Sequence, residues 1–304
     1  MIKRFGLICG AAFLLLFSFH GFLHGEELSV VFTSNSAGKL SGCSCPSDPY
    51  GGLSERVTLI RDLRQFISSP FLLVDSGNMN SLFGEFEAKA ECVFNLMNLM
   101  EYDAAGVGCN EMFHGMKSAM KISRAADFPL TSAVFAKPGD MNGGSPAFKP
   151  YVISDIDGKK VGIISVCDSL SQTRLGSPRI DDYIILPMDG VVSSAISEIS
   201  ETCDFIIVLS NLSHEANIEL SDKFAGIDLI VEGYGNSRYG KPIETSNSVI
   251  VSPGNRGQFV GLITLDKQDS GKISVKHHEL IPVLDMPEDK AASELIMEYL
   301  YSLD

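Results

Sequence analysis

The stretch Phe71-Leu72-Leu73-Val74-Asp75-Ser76-Gly77-Asn78 decides the fold. A short uninterrupted apolar run followed by Asp-Ser-Gly-Asn reads as a buried strand that ends in a turn. Upstream, residues 53–66 place Leu, Val and Ile at helical spacing, and residues 28–34 (LSVVFTS) read as a second buried strand. Downstream, residues 85–100 predict an amphipathic helix with Phe86, Ala90, Val93, Met97 and Met100 on one face. A strand over residues 104–108 then leads through Cys109-Asn110-Glu111 into a helix expected to reach about Ala126. Residues 151–165 predict a hairpin turning at Ile156-Asp157-Gly158-Lys159. Beyond it, helices over 191–201 and 215–224 alternate with strands over 204–210 and 227–233. Residues 249–252, 258–266 and 273–284 read as antiparallel strands, and a last helix covers 288–303. Alternating strands and helices with an antiparallel finish predict a layered α/β domain. With no repeat and no linker, residues 26–304 are expected to form one domain.

In such a domain ligands bind at the carboxyl ends of the strands. The loops there are Thr33-Ser34-Asn35-Ser36-Ala37-Gly38, Asp75-Ser76-Gly77-Asn78, Gly108-Cys109-Asn110-Glu111, Leu209-Ser210-Asn211-Leu212 and Gly233-Tyr234-Gly235-Asn236. Their order and spacing resemble the calcineurin-like metallophosphoesterases, and among them the bacterial 5′-nucleotidases. That family shows T-N-D-x-H-G, D-x-G-D, G-N-H-E, L-S-H-L and G-H-x-H in this order. Between the motifs, Gly51-Gly52-Leu53-Ser54-Glu55-Arg56, Met97-Asn98-Leu99-Met100-Glu101-Tyr102-Asp103 and Gly226-Ile227-Asp228-Leu229-Ile230-Val231 also resemble family segments. The resemblance covers about residues 28–283. It implies a four-layer α/β/β/α sandwich of the metallophosphoesterase type.

Carried over residue by residue, the resemblance implies a different chemistry. The family's two metal-binding aspartates fall on Asn35 and Asn78, and its next histidine on Ala37. Its metal-bound asparagine falls on Cys109 and its catalytic histidine on Asn110. Its remaining histidines fall on Asn211, Tyr234 and Asn236. Two neighbouring divalent cations need carboxylates to balance their charge and imidazoles to complete their shells, and an amide supplies no charge. No metal and no cofactor is therefore expected. Asn35, Asn78, Asn110, Asn211, Tyr234 and Asn236 become candidates for binding a small molecule through polar side chains. His114, His214, His277 and His278 stand off the motifs and read as surface or core residues. The nucleotide-specificity domain that follows in the family has no counterpart before Asp304, which weakens the expectation of nucleotide recognition.

Thiols stand near the substituted positions. Cys109 occupies a former ligand position at the start of a predicted helix, where main-chain amides favour a thiolate. Cys43 and Cys45 lie in the loop after the first strand, and Cys167 ends a strand near the same cleft. The reading that follows is a redox site in which Cys43 and Cys45 form a labile C-x-C disulfide and Cys109 attacks or resolves it. The chain is also similar to a bacterial group of nucleotidase-like proteins that includes selenoproteins, which favours redox chemistry. Three alternatives stay open: a non-catalytic binding or scaffold role, a soft-metal site on two or three thiolates, and residual metal-dependent hydrolysis. Cys92 and Cys203 read as structural.

Composition narrows the partners. Hydrophobic residues make up 45% of the chain and charged residues 20%, which suits a packed core. Lys3 and Arg4 precede an apolar run to Phe22, and residues 1–25 read as an export signal. An uncleaved anchor is the alternative, and a lipoprotein reading of Cys9 fails because Cys9 lies inside the apolar run. Without that segment 22 basic side chains face 38 acidic ones, a net of −16. Such a surface repels nucleic acid and anionic lipid. The expected setting is periplasmic or extracellular, with a small-molecule or thiol redox partner and no membrane contact beyond the possible anchor.

Overall fold

The computed structural model describes residues 26–42, 50–139, 147–168 and 182–303. The expected signal segment, Cys43 and Cys45 lie outside the described residues.

Two six-stranded sheets face each other. The first contains β1 (Glu26–Thr33), β2 (Leu72–Asp75), β3 (Ala104–Gly106), β4 (Leu130–Thr131), β13 (Phe259–Lys267) and β14 (Ile273–Pro282), in the order β14-β13-β1-β2-β3-β4. The second contains β6 (Tyr151–Ile156), β7 (Lys159–Cys167), β9 (Phe205–Asn211), β10 (Leu229–Glu232), β11 (Ile243–Glu244) and β12 (Val249–Val251), in the order β11-β12-β10-β9-β7-β6. A small antiparallel pair, β5 (Phe135–Ala136) and β8 (Ile184–Ile185), stands apart.

Three apolar clusters make these sheets the middle of four layers. Val30, Phe32, Leu72 and Val74 of the first sheet meet Ile163, Ile207, Leu209 and Val231 of the second in the central layer. On the outer face of the first sheet lie α1 (Leu53–Phe66), α2 (Phe86–Asn98) and α7 (Lys290–Tyr301), with Val57, Ile60, Val93, Met97 and Ile296 turned inward. On the outer face of the second lie α5 (Met188–Ile199) and α6 (His214–Lys223), anchored by Val192, Ile199 and Leu220. This is the expected α/β/β/α sandwich.

The helix starts follow from local chemistry. Ser213 caps α6 by accepting from the Ala216 amide, and Asp289 caps α7 by accepting from Ala291 and Ala292. Asp289 also pairs with Arg61 of α1, tying the last helix to the first. Between the sheets, Gly261 of β13 lies opposite Phe32 of β1, and a Cβ there would sit 2.1 Å from the Phe32 ring. Only a glycine lets that aromatic ring lie flat against the neighbouring strand.

One predicted element is corrected. The helix expected from Cys109 to about Ala126 is broken into α3 (Cys109–Met112) and α4 (Met116–Ile122), followed by a 3-10 turn over Ser123–Ala125. The break falls at Gly115, whose φ of 87° no α-helix accommodates. Cys109 thus begins a single helical turn rather than a long dipole. Among the described residues no helix is long and apolar enough to cross a membrane.

Candidate functional site

The parallel strands β1, β2, β3, β7, β9 and β10 all bring their carboxyl ends to one edge of the sandwich, in registers that pair Thr33 with Asp75, Cys167 with Asn211, and Glu232 with Ser210. The candidate residues meet along this edge.

Asn78 is the centre of it. Its φ of 57° is left-handed, a conformation that asparagine tolerates better than most residues. Its Nδ2 donates to Asn211 Oδ1 at 2.6 Å, and its Oδ1 accepts from the Asn110 backbone amide at 3.0 Å. Asn211 Nδ2 donates in turn to the Ser76 carbonyl, and Asn110 Nδ2 to the Asn80 carbonyl at 2.8 Å. Asn78, Asn110 and Asn211 are all buried. Of the three amides expected to face a ligand, those of Asn78 and Asn211 are therefore bonded to each other and that of Asn110 to the main chain. The other candidates stand outside this network. Asn35, also left-handed at φ 45°, donates from Nδ2 to the Gly235 carbonyl at 3.0 Å. Asn236 is exposed and accepts from Asn255, and Tyr234 on the same loop is half-buried.

Asp75 and Glu111 at this edge are both committed. Asp75 accepts from Thr33 Oγ1 at 2.6 Å and from the Gly77 amide at 2.8 Å, with the Arg56 guanidinium 3.9 Å away. Burial raises its pKa, and Arg56, Thr33 and Gly77 oppose the rise. Glu111 accepts from the main-chain amides of Asn78, Gly108 and Asn80 at 2.9 to 3.0 Å. Burial pushes its pKa up to about 7 against those three donors. Among the described residues no three His, Cys, Asp or Glu side chains gather as a group able to hold a metal ion. With Asn78 Oδ1 and Asn211 Oδ1 already accepting hydrogen bonds and neither carboxylate turned outward, this donor set does not fit the two cations that the fold family implies.

The structure adds a contact that the sequence reading missed. Cys109 Sγ lies 2.7 Å from Cys167 Sγ, and each residue is only 1% exposed. The approach of β7 to β3 explains the meeting. Val161 and Ile163 of β7 face the first sheet, and Ser165 lies against β3, where a Cβ on Gly106 would sit 2.6 Å from its hydroxyl; at the strand's end Cys167 and Cys109 pack in one apolar cluster. Burial, followed by the neighbouring Cys109, raises the Cys167 thiol well above its ordinary pKa. The partner of Cys109 among the described residues is thus Cys167. Cys92 is buried, as expected; Cys203 is half-buried at the far end of β7.

A second cluster also went unread. Glu232, buried at the end of β10, accepts from Tyr239 Oη at 2.9 Å and from Asn217 Nδ2 at 3.0 Å, with His214 Nδ1 3.3 Å away. This network anchors the 233–239 loop to the start of α6. It also gives His214, read as a bland residue, a fixed structural partner.

No family model matches the chain. It is 27% identical over 209 residues to the snake venom 5′-nucleotidase of Gloydius brevicauda, an alignment covering 67% of this chain and 34% of that protein. The chain thus spans about a third of the length of that relative. The 5′-nucleotidase precursor from Thermus thermophilus superposes with a TM-score of 0.76 at 20% identity, over 91% of this chain and 59% of that one. The calcineurin-like phosphoesterase YfkN from Bacillus subtilis superposes with a TM-score of 0.74 at 19% identity, over 91% and 97%.

Proposed function

We propose that this homologue of the 5′-nucleotidases, built on the fold of their N-terminal domain, is an exported protein that has given up two-metal hydrolysis and carries out thiol redox chemistry in the former metal cleft. The observation that carries the reading is the 2.7 Å approach of Cys109 to Cys167 beside amides whose hydrogen bonds are already taken within the protein. A movement of roughly 0.7 Å would bring the sulfurs to the ~2.05 Å of a disulfide bond. Cys167 is the partner in this scheme, in place of the Cys43–Cys45 pair expected from sequence.

The chemistry is thiol–disulfide exchange with a disulfide RS–SR. Burial keeps Cys167 protonated, so Cys109 makes the first attack, forming a mixed disulfide and releasing one RSH. Cys167 then displaces the second RSH and closes the Cys109–Cys167 bond, the two thiol protons leaving on the two RSH molecules. A dithiol reductant reverses the sequence. An oxidising compartment outside the cytoplasm suits such a pair.

The non-catalytic binding or scaffold role is the second reading, and the deep burial of both thiols favours it. Soft-metal binding has less support: structural zinc takes four ligands, and among the described residues two thiols meet here. The test is mass spectrometry of purified protein treated with oxidised glutathione, alongside Mn²⁺-supplemented turnover of a chromogenic phosphate ester. The thiol reading expects a loss of two hydrogens mapped to the Cys109 and Cys167 peptides and no Mn²⁺-dependent turnover. Turnover that needs Mn²⁺ would overturn it. Thiols that stay reduced in folded protein would leave the scaffold reading standing.

A further inference from the structure

We infer that the Cys109–Cys167 pair acts as a bolt on the amide cleft, so that the redox state of the two sulfurs sets whether the cleft edge can open. This rests on the thiol reading above.

A closed ring of contacts carries the inference. Cys109 is followed in the chain by Asn110, whose backbone amide donates to Asn78 Oδ1 at 3.0 Å. Asn78 Nδ2 donates to Asn211 Oδ1 at 2.6 Å. Asn211 is the register partner of Cys167 in the parallel ladder between β9 and β7. The Cys167 sulfur then returns to the Cys109 sulfur at 2.7 Å. The ring runs from the first sheet through the β2 turn to the second sheet and back.

The ring ties the strand ends of the first sheet to those of the second. Cys109 and Asn110 start α3 beyond β3, Asn78 lies on the turn after β2, and Asn211 and Cys167 end strands of the second sheet. Separating the two sheets at this edge must therefore break the Asn78–Asn211 hydrogen bond and part the two sulfurs together. In the reduced protein both links are non-covalent and the edge opens by local fluctuation. In the oxidised protein an S–S bond spans the same gap, and Asn78 stays clamped between Asn110 and Asn211. Oxidation by a disulfide RS–SR consumes the two thiols and releases two RSH, as above, and reduction restores them. Because neither sulfur reaches the surface, the exchange partner meets them only in the open form. Once formed, the bond removes the motion that admitted the partner.

Hydrogen exchange read by mass spectrometry tests the bolt, on full-length protein oxidised with oxidised glutathione and on the same protein reduced with a phosphine. The expected result is slower exchange, on the order of tenfold, in the oxidised form for peptides spanning residues 76–80, 108–112 and 209–213, with the outer helices unchanged. Cys167→Ala is expected to exchange at the reduced rate under both treatments, and Cys203→Ala to behave as the parent. The reduced parent supplies the same comparison if Cys167→Ala fails to fold. Equal exchange in two forms whose mass confirms a bond present and absent would overturn the bolt and leave the thiol chemistry standing. Failure of the bond to form at all would overturn both.

Discussion

Closing the Cys109–Cys167 bond is predicted to raise stability by about 4 kcal/mol at 25 °C. The two residues are 58 apart in sequence. A cross-link closing a loop of that size removes roughly 14 cal/mol/K of chain entropy from the unfolded state, or about 4 kcal/mol. The folded state contributes little to the balance, because the sulfurs already touch in it and both strand ends keep their ladder partners. At roughly 2 °C per kcal/mol, the low end for domains of 150–250 residues, the melting temperature should differ by about 8 °C. The assay is differential scanning calorimetry of oxidised and phosphine-reduced protein, each checked by intact mass. The double variant Cys109→Ala/Cys167→Ala gives the redox-insensitive baseline. A verified bond that shifts the transition by less than about 2 °C would refute the reasoning, since the unfolded chain would then already be constrained or the native edge distorted by closure.

Breaking the amide bridge with Asn78→Ala should cost about 1–3 kcal/mol, because it removes the buried hydrogen bond to Asn211 Oδ1 and places alanine in a left-handed conformation; urea denaturation reads the loss directly. Gly261→Ala should cost about 1–3 kcal/mol by driving a methyl into the Phe32 ring, and a midpoint unchanged in urea would disprove the close approach. Thermal stability should fall as pH rises from about 4.5 to 7. Glu111 binds its proton more tightly folded than unfolded, so its contribution is full below the ordinary carboxylate pKa and is lost as pH climbs through about 7. The span is roughly 3 kcal/mol, and Glu111→Gln should flatten that part of the profile whatever its own stability; an undiminished slope in the variant would show that other groups set it. Asp75, Asp103 and Asp228, each raised first by burial, act in the same direction.

The fold was legible because its signals are local. FLLVDSGN announces a buried strand and a turn by composition alone, and β2 ends at Asp75 as that reading requires. The amphipathic faces of α1 and α2 are equally plain in the spacing of their apolar residues. Strands of two residues, such as β4 and β5, carry too few side chains to show a period and went unread. Gly115 was visible in the predicted helix, and its left-handed backbone broke that helix in two. The candidate site was legible only as an inventory. Asn78, Asn110 and Asn211 were found by their places in the strand-end loops, but sequence left them facing a ligand. In the structure Asn78 and Asn211 satisfy each other and Asn110 bonds the main chain, because three strand ends converge and a buried amide needs a partner. The meeting of Cys109 with Cys167 depends on the register between two sheets, which no local pattern encodes.

The antiparallel pairing of β1 with β13 has a consequence for how the molecule comes to exist. Val30 lies beside Ile263 and Phe32 beside Gly261, so the chain's first strand finds one of its two neighbours only after more than two hundred intervening residues have been made. Contacts of that sequence separation are slow to form, because the entropy of closing so long a loop is spent before any of them is gained. A ribosome-bound chain that stops short of β13 would hold β1 with an open edge, and the first sheet would close there only once residues 259–267 have been made.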